Sequence, residues 1–553
     1  MTTSFNALLD EIRDAKRSEK DVGDRFEEIV QVYFNHDAQM QQMYSQATSW
    51  KDWVRKHREE ESIKDVGIDL VARVRDGQGN GFAAIQAKCR QHHYKLQKKD
   101  IDSFYSTADS QGFKILVFID TTEVAPSPHF QEVVDRRQIT HIRVKDLVES
   151  TVDWDAFIDR GEKRRRKPKE ARPHQLEAVE KVREGFDSAA RGQIIMACGT
   201  GKTYTGLLVA EKLFGAGKRV LVLVPSLALM SQMIREWHAD ATVPLRSYSV
   251  CSDTEVGRRG RSSDDVIQLT PSELKIPPTT DAKNLAEKAS SDAPDAITVV
   301  FGTYHSIEVV HAAQHEHRSP NFDLIVCDEA HRTTGQFDQG KEEEASMFVR
   351  VHDAEYVRSR KRLYMTATPR IYTTSSKSKA AEGAITLCSM DNPEQFGKVL
   401  FYKSFAWAVE NELLSDYRVL VLALDEQTMS KTLQTILESD ESDIKLDDAT
   451  KIVGCYKALM KDPGPDRTEE FIGDVEPSRR ALLFATLLRI LKSLVKNSTT
   501  SSKNLYTTIR IRRMVRSILT VRRNISMVPL ERMREIIDYR GSATNPMKTK
   551  SEY

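Results

Sequence analysis

Short apolar runs, rich in β-branched residues, recur through the middle of the chain, and a helical pattern follows them. The runs occupy residues 193–197, 219–224, 298–304, 323–327 and 363–365. Uninterrupted apolar runs of this length are typical of parallel strands that are buried on both faces. The alternation of strand and helix therefore predicts a doubly wound parallel sheet over residues 171–398.

The N-terminal residues 1–160 follow a different pattern, in which amphipathic helices alternate with short strands. Residues 22–33 have the spacing of an amphipathic helix. Residues 64–75 and 82–88 each have a strand pattern, and a glycine-rich turn separates them, so a β-hairpin is expected.

Two further segments complete the organisation of the chain. A polar stretch at residues 252–295 has the composition of a surface insertion. From residue 399 a second α/β unit is predicted, with residues 417–424 as its first strand, and its pattern becomes illegible near residue 485.

Composition places the chain among ordinary globular proteins of about three domains, because it has 553 residues of which 40% are hydrophobic. It contains no uncharged apolar run of membrane-spanning length, and the N-terminus has no secretory signal pattern. The 6 cysteines form no Cys-x-x-Cys pair, so neither a disulfide framework nor a zinc ribbon is indicated. We therefore expect a cytoplasmic protein without a membrane partner.

The formal charge of +1 conceals a strong asymmetry. From Arg479 onward the chain has 17 lysines and arginines against 4 acidic residues, and residues 481–530 contain no acidic residue. A second basic run at residues 163–169 is interpreted as a solvated connector between domains.

A phosphate-binding loop is indicated at residues 196–203, Met-Ala-Cys-Gly-Thr-Gly-Lys-Thr, which follow a predicted strand and open a helix. Backbone N–H groups at Gly199, Thr200 and Gly201 would cradle phosphates, as happens at helix N-termini. Lys202 would reach the β- and γ-phosphates, and the Thr203 hydroxyl would bind Mg²⁺. A strict loop of this kind has glycine where Met196 stands, so by itself the motif also fits a glycine-rich turn.

An acidic pair follows a second strand. In Asp-Glu-Ala-His at residues 328–331, Asp328 can hold Mg²⁺ through water, and Glu329 can orient and deprotonate the attacking water. A lone acidic pair at a strand end would ordinarily be a solvated turn. Two further elements accompany it, namely Thr-Ala-Thr at residues 366–368 and Gln175 upstream of the loop.

In this order and spacing, the four elements resemble the motifs of superfamily 2 DEAH helicases and translocases, which have RecA-like folds. The resemblance implies that ATP is a cofactor and that Gln175 recognises its adenine. It also implies that His331, Thr366 and Thr368 couple ATP hydrolysis to movement on nucleic acid.

The predicted hairpin places Asp69 near the start of one strand and puts Gln86 and Lys88 on one face of the other, because side chains repeat every two residues. A carboxylate that fixes Mg²⁺ and a lysine that orients water or neutralises phosphorane charge are suited to phosphodiester cleavage. Glu27, on the helix at residues 22–33, could complete the metal shell. From spacing alone, an edge hairpin with polar residues in solvent is an open alternative.

The pattern Gly-x-Asp…Gln-x-Lys, preceded by a helix that carries glutamate, resembles the Mrr branch of the PD-(D/E)xK nucleases, where glutamine replaces the middle acidic residue. A nuclease of this branch fused to a superfamily 2 motor resembles the N-terminal part of Type I SP restriction–modification enzymes. Supporting phrases lie at residues 101–104, 389–397 and 415–419. Type I motor subunits and Type III restriction subunits match these phrases less closely.

The resemblance implies four segments and a function. The segments are a nuclease domain at 1–160, a basic linker at 161–170, a first RecA-like domain at 171–398 and a partial second one at 399–553. The implied function is ATP- and Mg²⁺-dependent cleavage of double-stranded DNA in defence against foreign DNA. Alternatives are a remnant that binds nucleotide and DNA without turnover, and a repair or remodelling translocase with an inactive nuclease fold.

The C-terminal region departs from the family pattern. Helicase motifs V and VI and the methyltransferase motifs are not recognisable in this sequence, so a methyltransferase would act from another chain or a missing region. One hypothesis is a frameshifted and truncated gene, motivated by the acid-free stretch. The rival hypothesis is a genuine basic tail that binds DNA phosphates.

Overall fold

The computed structural model describes residues 4–13, 18–57, 67–75, 81–252, 274, 276, 278–337, 347–373 and 386–416. With the exception of Asp416, these residues belong to one compact unit, Met1–Ser415, and a second unit comprises Asp416–Tyr553. The predicted strand at 417–424, the end of the phrase at 415–419 and the basic stretch after Arg479 lie outside the described residues.

The N-terminal domain is built on a mixed sheet with the strand order β1-β2-β3-β4-β5. Its strands are β1 (Tyr44–Ser49), β2 (Leu70–Val74), β3 (Phe82–Lys88), β4 (Ile115–Asp120) and β5 (Thr140–Ile142). β1, β2 and β3 pair antiparallel, while β3, β4 and β5 pair parallel. The predicted hairpin is confirmed as the antiparallel pair of β2 and β3, although β2 is shorter than the predicted strand.

Helices cover both faces of this sheet. They are α1 (Ser4–Ile12), α2 (Glu19–His36), α3 (Ala38–Met43), α4 (Trp50–His57), α5 (Lys99–Ser110), α6 (Pro128–Arg137), α7 (Val144–Val148) and α8 (Trp154–Arg160). Leu70 and Ile85 pack with α2 on one face, while Val71 and Ala84 pack with α5 on the other. Successive side chains of a strand point to opposite faces, so the uninterrupted apolar sequence of this hairpin reflects burial on both sides.

The second domain contains a larger sheet with the strand order β15-β6-β13-β11-β7-β10-β8-β9, and every pairing in it is parallel. Its strands are β6 (Arg191–Met196), β7 (Arg219–Val224), β8 (Leu245–Val250), β9 (Pro278–Thr279), β10 (Ile297–Thr303), β11 (Phe322–Cys327), β13 (Ser359–Thr366) and β15 (Lys398–Lys403). β12 (Gly335–Phe337) and β14 (Thr386–Cys388) form a separate antiparallel pair. The predicted doubly wound parallel sheet is confirmed.

Helices on the two faces of this sheet enclose separate apolar cores. The helices are α9 (Pro173–Ser188), α10 (Lys202–Val209), α11 (Leu227–Asp240), α12 (Ala282–Ser290), α13 (Ile307–His315), α14 (Pro393–Phe396) and α15 (Phe405–Glu410). Trp237 of α11 is completely buried, and its indole N–H donates to the Thr203 carbonyl at 3.1 Å. Burial of such a ring contributes about 3–5 kcal/mol relative to alanine, so α11 is held firmly against α10.

The first RecA-like domain extends beyond the boundary at residue 398 that the sequence predicts. β15 begins at that boundary and continues past it, yet it pairs parallel with β6 and forms the edge of the same sheet. The compact unit continues to Ser415. β15 has exposed apolar residues such as Val399 and Tyr402, so its sequence does not show which sheet it joins.

Gly397 permits the sharp turn that brings β15 beside β6, and we expect Gly397→Ala to destabilise the second domain. Its φ is +74°, and an added Cβ would lie 2.3 Å from the Arg191 carbonyl oxygen. The matched control is Gly217→Ala, where φ is +77° and the nearest such contact is 3.8 Å. Because the two variants share the backbone penalty, thermal unfolding should show an additional loss of about 1–3 kcal/mol for Gly397→Ala. Equal losses would contradict this account of the turn.

Candidate functional site

The loop between β6 and α10 has the conformation of a phosphate-binding turn. Gly199 and Gly201 have φ values of +81° and +90°, which side chains with a Cβ rarely adopt. The buried Thr200 hydroxyl donates to the Ala197 carbonyl at 2.7 Å and closes the turn. Met196, the departure from the strict motif, is fully buried as the last residue of β6. The turn therefore starts after this position, and an apolar residue is accommodated there.

A cleft of about 420 Å³ opens beside this loop. Gly199, Gly201, Lys202 and Thr203 line one part of it, and Asp328 and Glu329 line another. The N-terminus of α10 lies in the same cleft, and the N-terminal end of a helix favours anions. The donor groups present thus fit a nucleotide with its phosphates at the loop.

The acidic pair follows β11 at the carboxyl end of the sheet. The Asp328 N–H donates to the Leu223 carbonyl at 2.9 Å, which fixes the residue beside β7. Burial, together with the charge of the neighbouring Glu329 carboxylate, raises the pKa of the Asp328 carboxyl to about 6. Glu329 itself has a φ of +47°, a left-handed conformation that is uncommon for a residue with a side chain. A buried carboxyl with a raised pKa gains from a cation nearby, so the chemistry of the pair fits Mg²⁺.

His331 connects the acidic pair to the Thr-Ala-Thr segment. Its Nδ1 lies 3.4 Å from a Glu329 carboxylate oxygen and 2.9 Å from the Thr366 hydroxyl. That hydroxyl in turn accepts from the Thr368 N–H at 3.2 Å. Burial lowers the pKa of the His331 imidazole, which favours its neutral form at neutral pH. The structure therefore places these motif residues in one hydrogen-bonded chain.

Gln175 is buried against the phosphate loop at the start of α9. Its Nε2 donates to the Gly201 carbonyl at 3.2 Å, and its Oε1 accepts from the Arg172 N–H at 2.9 Å. The neighbouring His174 ring nitrogen lies 2.9 Å from the Thr200 carbonyl. This segment holds the loop from the side as well as lining the cleft.

The hairpin residues of the N-terminal domain also converge. A carboxylate oxygen of Asp69 accepts from the Ala87 N–H at 2.7 Å, between Gln86 and Lys88 on β3. Gln86 is buried, and its Nε2 donates to the Gly67 carbonyl at 2.9 Å. In the described part of the chain, its Oε1 has no hydrogen-bond partner. A buried oxygen without a partner, on the strand whose Ala87 N–H binds the Asp69 carboxylate, fits a cation or an ordered water.

Glu27 is less directly placed. It lies on α2, and the next turns of the same helix face carry Gln31 and Asn35, which donate to the Ala47 carbonyl at 3.1 and 3.2 Å. α2 packs on the face of the sheet that carries Leu70 and Ile85, and Glu27 is only partly buried there. No cluster of three or more His, Cys, Asp or Glu residues with metal-binding geometry occurs within the described ranges. Metal binding by Glu27 stays a prediction.

Two contributors to these sites are not evident in the sequence. The buried Tyr304 hydroxyl donates to the Asp328 carbonyl at 2.8 Å, which supports the acidic loop from the strand next to β7. Arg165 donates to the His238 and Ala239 carbonyls at 2.6 and 2.7 Å. Arg165 thus attaches the basic run at 163–169 to the second domain, while Lys163, Arg164 and Arg166 are exposed, as the interpretation as a solvated connector predicts. The one available signal was the position of Tyr304 as the last residue of a predicted strand.

Comparison with known families divides the chain as the two sheets do. Residues 35–164 match the family described as "Restriction endonuclease", of Mrr type, and residues 168–371 match "Type III restriction enzyme, res subunit". Among curated proteins, a probable helicase of African swine fever virus is 25% identical over 305 residues, which is 55% of this chain and 30% of the viral protein. The chain thus spans about a third of the length of the curated relatives it matches.

Among solved structures, the ATP-dependent Type ISP restriction–modification enzyme LlaBIII bound to DNA is 30% identical, with a TM-score of 0.68. The similarity covers 91% of this chain and 31% of the LlaBIII chain. A nuclease-deletion mutant of the Type ISP enzyme LlaGI is 34% identical over 45% of this chain, with a TM-score of 0.35. No helix within the described ranges has both the length and the apolar character needed to span a bilayer.

Proposed function

Because the chain joins an Mrr-like restriction endonuclease domain to a restriction-type helicase domain, we propose that it is an ATP-dependent DNA endonuclease of a restriction–modification system. The observation that carries the proposal is that the motif residues converge into two sites within one compact unit. In one, Asp69 is fastened to β3 between Gln86 and Lys88. In the other, Lys202 and the acidic pair share a cleft of nucleotide size.

In the nuclease domain, Asp69 with Gln86 would hold Mg²⁺, and Glu27 is the proposed third contributor. A bound Mg²⁺ supplies a lower pKa for water and compensates phosphate charge. Lys88, at the end of β3, would orient the attacking water or neutralise the charge that develops on the phosphorus oxygens. The scissile phosphate of double-stranded DNA would lie at the carboxyl ends of β3 and β4.

In the helicase domain, Thr203 and Asp328 would hold Mg²⁺, and Lys202 would bind the β- and γ-phosphates of ATP. Glu329 would accept the proton of the attacking water. His331 touches both Glu329 and Thr366, so loss or gain of the γ-phosphate would be passed to the Thr-Ala-Thr segment. Gln175 would contact adenine near the loop. Translocation on duplex DNA is the movement that this coupling would serve, and methylation would come from another polypeptide or region.

Replacement of Asp69 or Lys88 should abolish Mg²⁺-dependent cleavage without affecting ATP hydrolysis. Asp69→Ala removes the carboxylate that is proposed to bind the metal. Lys88→Ala removes a positive charge, which should lower the cleavage rate by about 10²–10³-fold. Cleavage of plasmid DNA would be followed on gels, with Lys114→Ala as the control because Lys114 is exposed at the other end of the sheet. Cleavage that survives both changes would sink the nuclease assignment, and ATP hydrolysis without cleavage by the wild type would favour a remodelling translocase.

Replacement of Lys202 or Glu329 should remove DNA-stimulated ATP hydrolysis. Lys202→Ala removes the phosphate contact. Glu329→Gln keeps the shape of the side chain but removes the general base, which should lower the rate of ATP hydrolysis by about 10²–10⁴-fold. Phosphate release would be measured with and without duplex DNA, and Glu316→Gln, at an exposed position of the same domain, is the control. Nucleotide binding without turnover in the wild type would point instead to the non-catalytic remnant.

A further inference from the structure

The loop that leaves the proposed nuclease site is unusually basic. Residues 88–99 contain Lys88, Arg90, Lys95, Lys98 and Lys99 and no acidic residue. The loop begins at the last residue of β3 and ends at the first residue of α5. It therefore starts at the position where the scissile phosphate is proposed to lie.

This loop is held in place by its own contacts. Leu96 is fully buried, and its carbonyl accepts from the Ser127 N–H at 2.9 Å. The His92 carbonyl accepts from the Glu123 N–H at 2.8 Å. The loop thus presents its outward side chains from a fixed backbone, which lowers the entropic cost of binding a ligand.

The cations of the loop divide into two kinds. Arg90 and Lys98 have acidic partners: Arg90 lies 3.6 Å from Asp100 and over the Tyr94 ring, and Lys98 lies 3.8 Å from Asp102. Lys95 and Lys99 are exposed. Charge of one sign on a preorganised surface beside a phosphodiester-cleaving site matches a polyanion.

We infer that Lys95 and Lys99 contact backbone phosphates of duplex DNA and hold the strand against the site at Asp69 and Lys88. This inference rests on the proposed nuclease function and names its substrate-binding surface. Each phosphate contact releases about 0.9 counterion, so the two lysines account for roughly 1.8 in the dependence of log affinity on log salt.

Lysine-reactivity footprinting of the full-length Asp69→Ala chain tests this contact, with a duplex of plasmid sequence as the probe. We expect the duplex to reduce acylation of Lys95 and Lys99 several-fold and to leave Lys114 unchanged. The variant Lys95→Ala/Lys99→Ala should lose roughly 1.8 from the salt slope, whereas the control Lys114→Ala/Arg136→Ala should not. The control makes the same charge change directly before β4 and in the last turn of α6.

Footprinting keeps this inference separate from the nuclease assignment. Equal protection at Lys114, or no protection at Lys95 and Lys99, overturns the contact even if the wild type cleaves DNA. Protection in a chain whose wild type does not cleave DNA leaves the surface intact and removes the nuclease assignment alone.

A second, independent observation concerns the linker between the domains. Lys169 and Glu170 line the nucleotide cleft together with Lys202. The Tyr204 hydroxyl, on the helix that follows the phosphate loop, donates to the Lys169 carbonyl at 2.6 Å. Lys169 also pairs with the buried Asp240 carboxylate at 3.0 Å. The linker is thus one wall of the cleft.

α11 connects the same cleft to the nuclease domain. Gln232 and Glu236 face the cleft, while Arg235 on the other side pairs with Glu149 of the nuclease domain at 2.5 Å. Arg165 binds the last carbonyls of α11. A helix of this length is stiff, so a displacement of α11 at the cleft also displaces its contacts with the nuclease domain.

We propose that nucleotide in the cleft is sensed by the linker and by α11 and is thereby signalled to the nuclease domain. The proposal rests on nucleotide binding by the cleft and adds a route of regulation to it. The linker contains exposed trypsin sites at Lys163, Arg164 and Arg166. The accessibility of the linker can therefore be measured by proteolysis, without any assay of catalytic activity.

Limited trypsin digestion of the full chain, with a non-hydrolysable ATP analogue and Mg²⁺, tests the linker. We expect the analogue to slow cutting at residues 163–166 several-fold. Asp240→Ala, which releases Lys169, and Arg165→Ala, which releases α11, should each lose this protection while still binding a fluorescent analogue. Glu184→Ala, in an exposed ion pair with Lys181, is the control.

Binding and protection are measured separately, so their failures can be told apart. A bound analogue that leaves the cutting rate unchanged overturns the linker proposal and keeps the nucleotide site. An analogue that does not bind at all removes the nucleotide site, and the linker proposal falls with it.

Discussion

Parallel pairing of β6, β13, β11 and β7 brings the carboxyl ends of neighbouring strands to one side of the sheet, and the residues that follow them line the cleft that we propose binds nucleotide. Lys202 follows β6, Asp328 follows β11, and Thr366 ends β13. Since the strands are hydrogen-bonded in fixed register, these side chains keep their separation without a direct bond between them. The hydrogen bond from the Tyr304 hydroxyl to the Asp328 carbonyl lies at the same carboxyl ends of the strands.

The N-terminal sheet applies this constraint on a smaller scale. β3 and β4 are parallel, so Lys88 and Asp120 end them side by side. Asp69 enters from the antiparallel neighbour and is fastened by the Ala87 N–H. The carboxylate thus takes its position from backbone pairing, which a surface loop could not supply with the same rigidity.

The pattern of apolar and polar residues was sufficient to predict elements whose structure depends on local sequence. The bounds of β3 and β7 agree with their apolar runs, because a strand buried on both faces needs continuous apolar residues. It was insufficient for long-range partners. Nothing in the exposed residues of β15 indicates that it pairs with β6, and nothing in the basic run indicates that Arg165 binds the end of α11. The site residues lie in motifs, while their supports, such as Tyr304, lie outside them.

The linker pairs with the nuclease domain at Val152 and Arg165 and is held by the helicase domain at Asp240. The linker is consequently fixed by contacts with both domains. Such contacts limit recombination between related genes, because an exchanged nuclease domain needs a linker that fits the α11 of the recipient protein. Domain exchange in evolution or engineering would then succeed only where the crossover lies after α11, so that the nuclease domain, the linker and the segment that ends at Asp240 are transferred together.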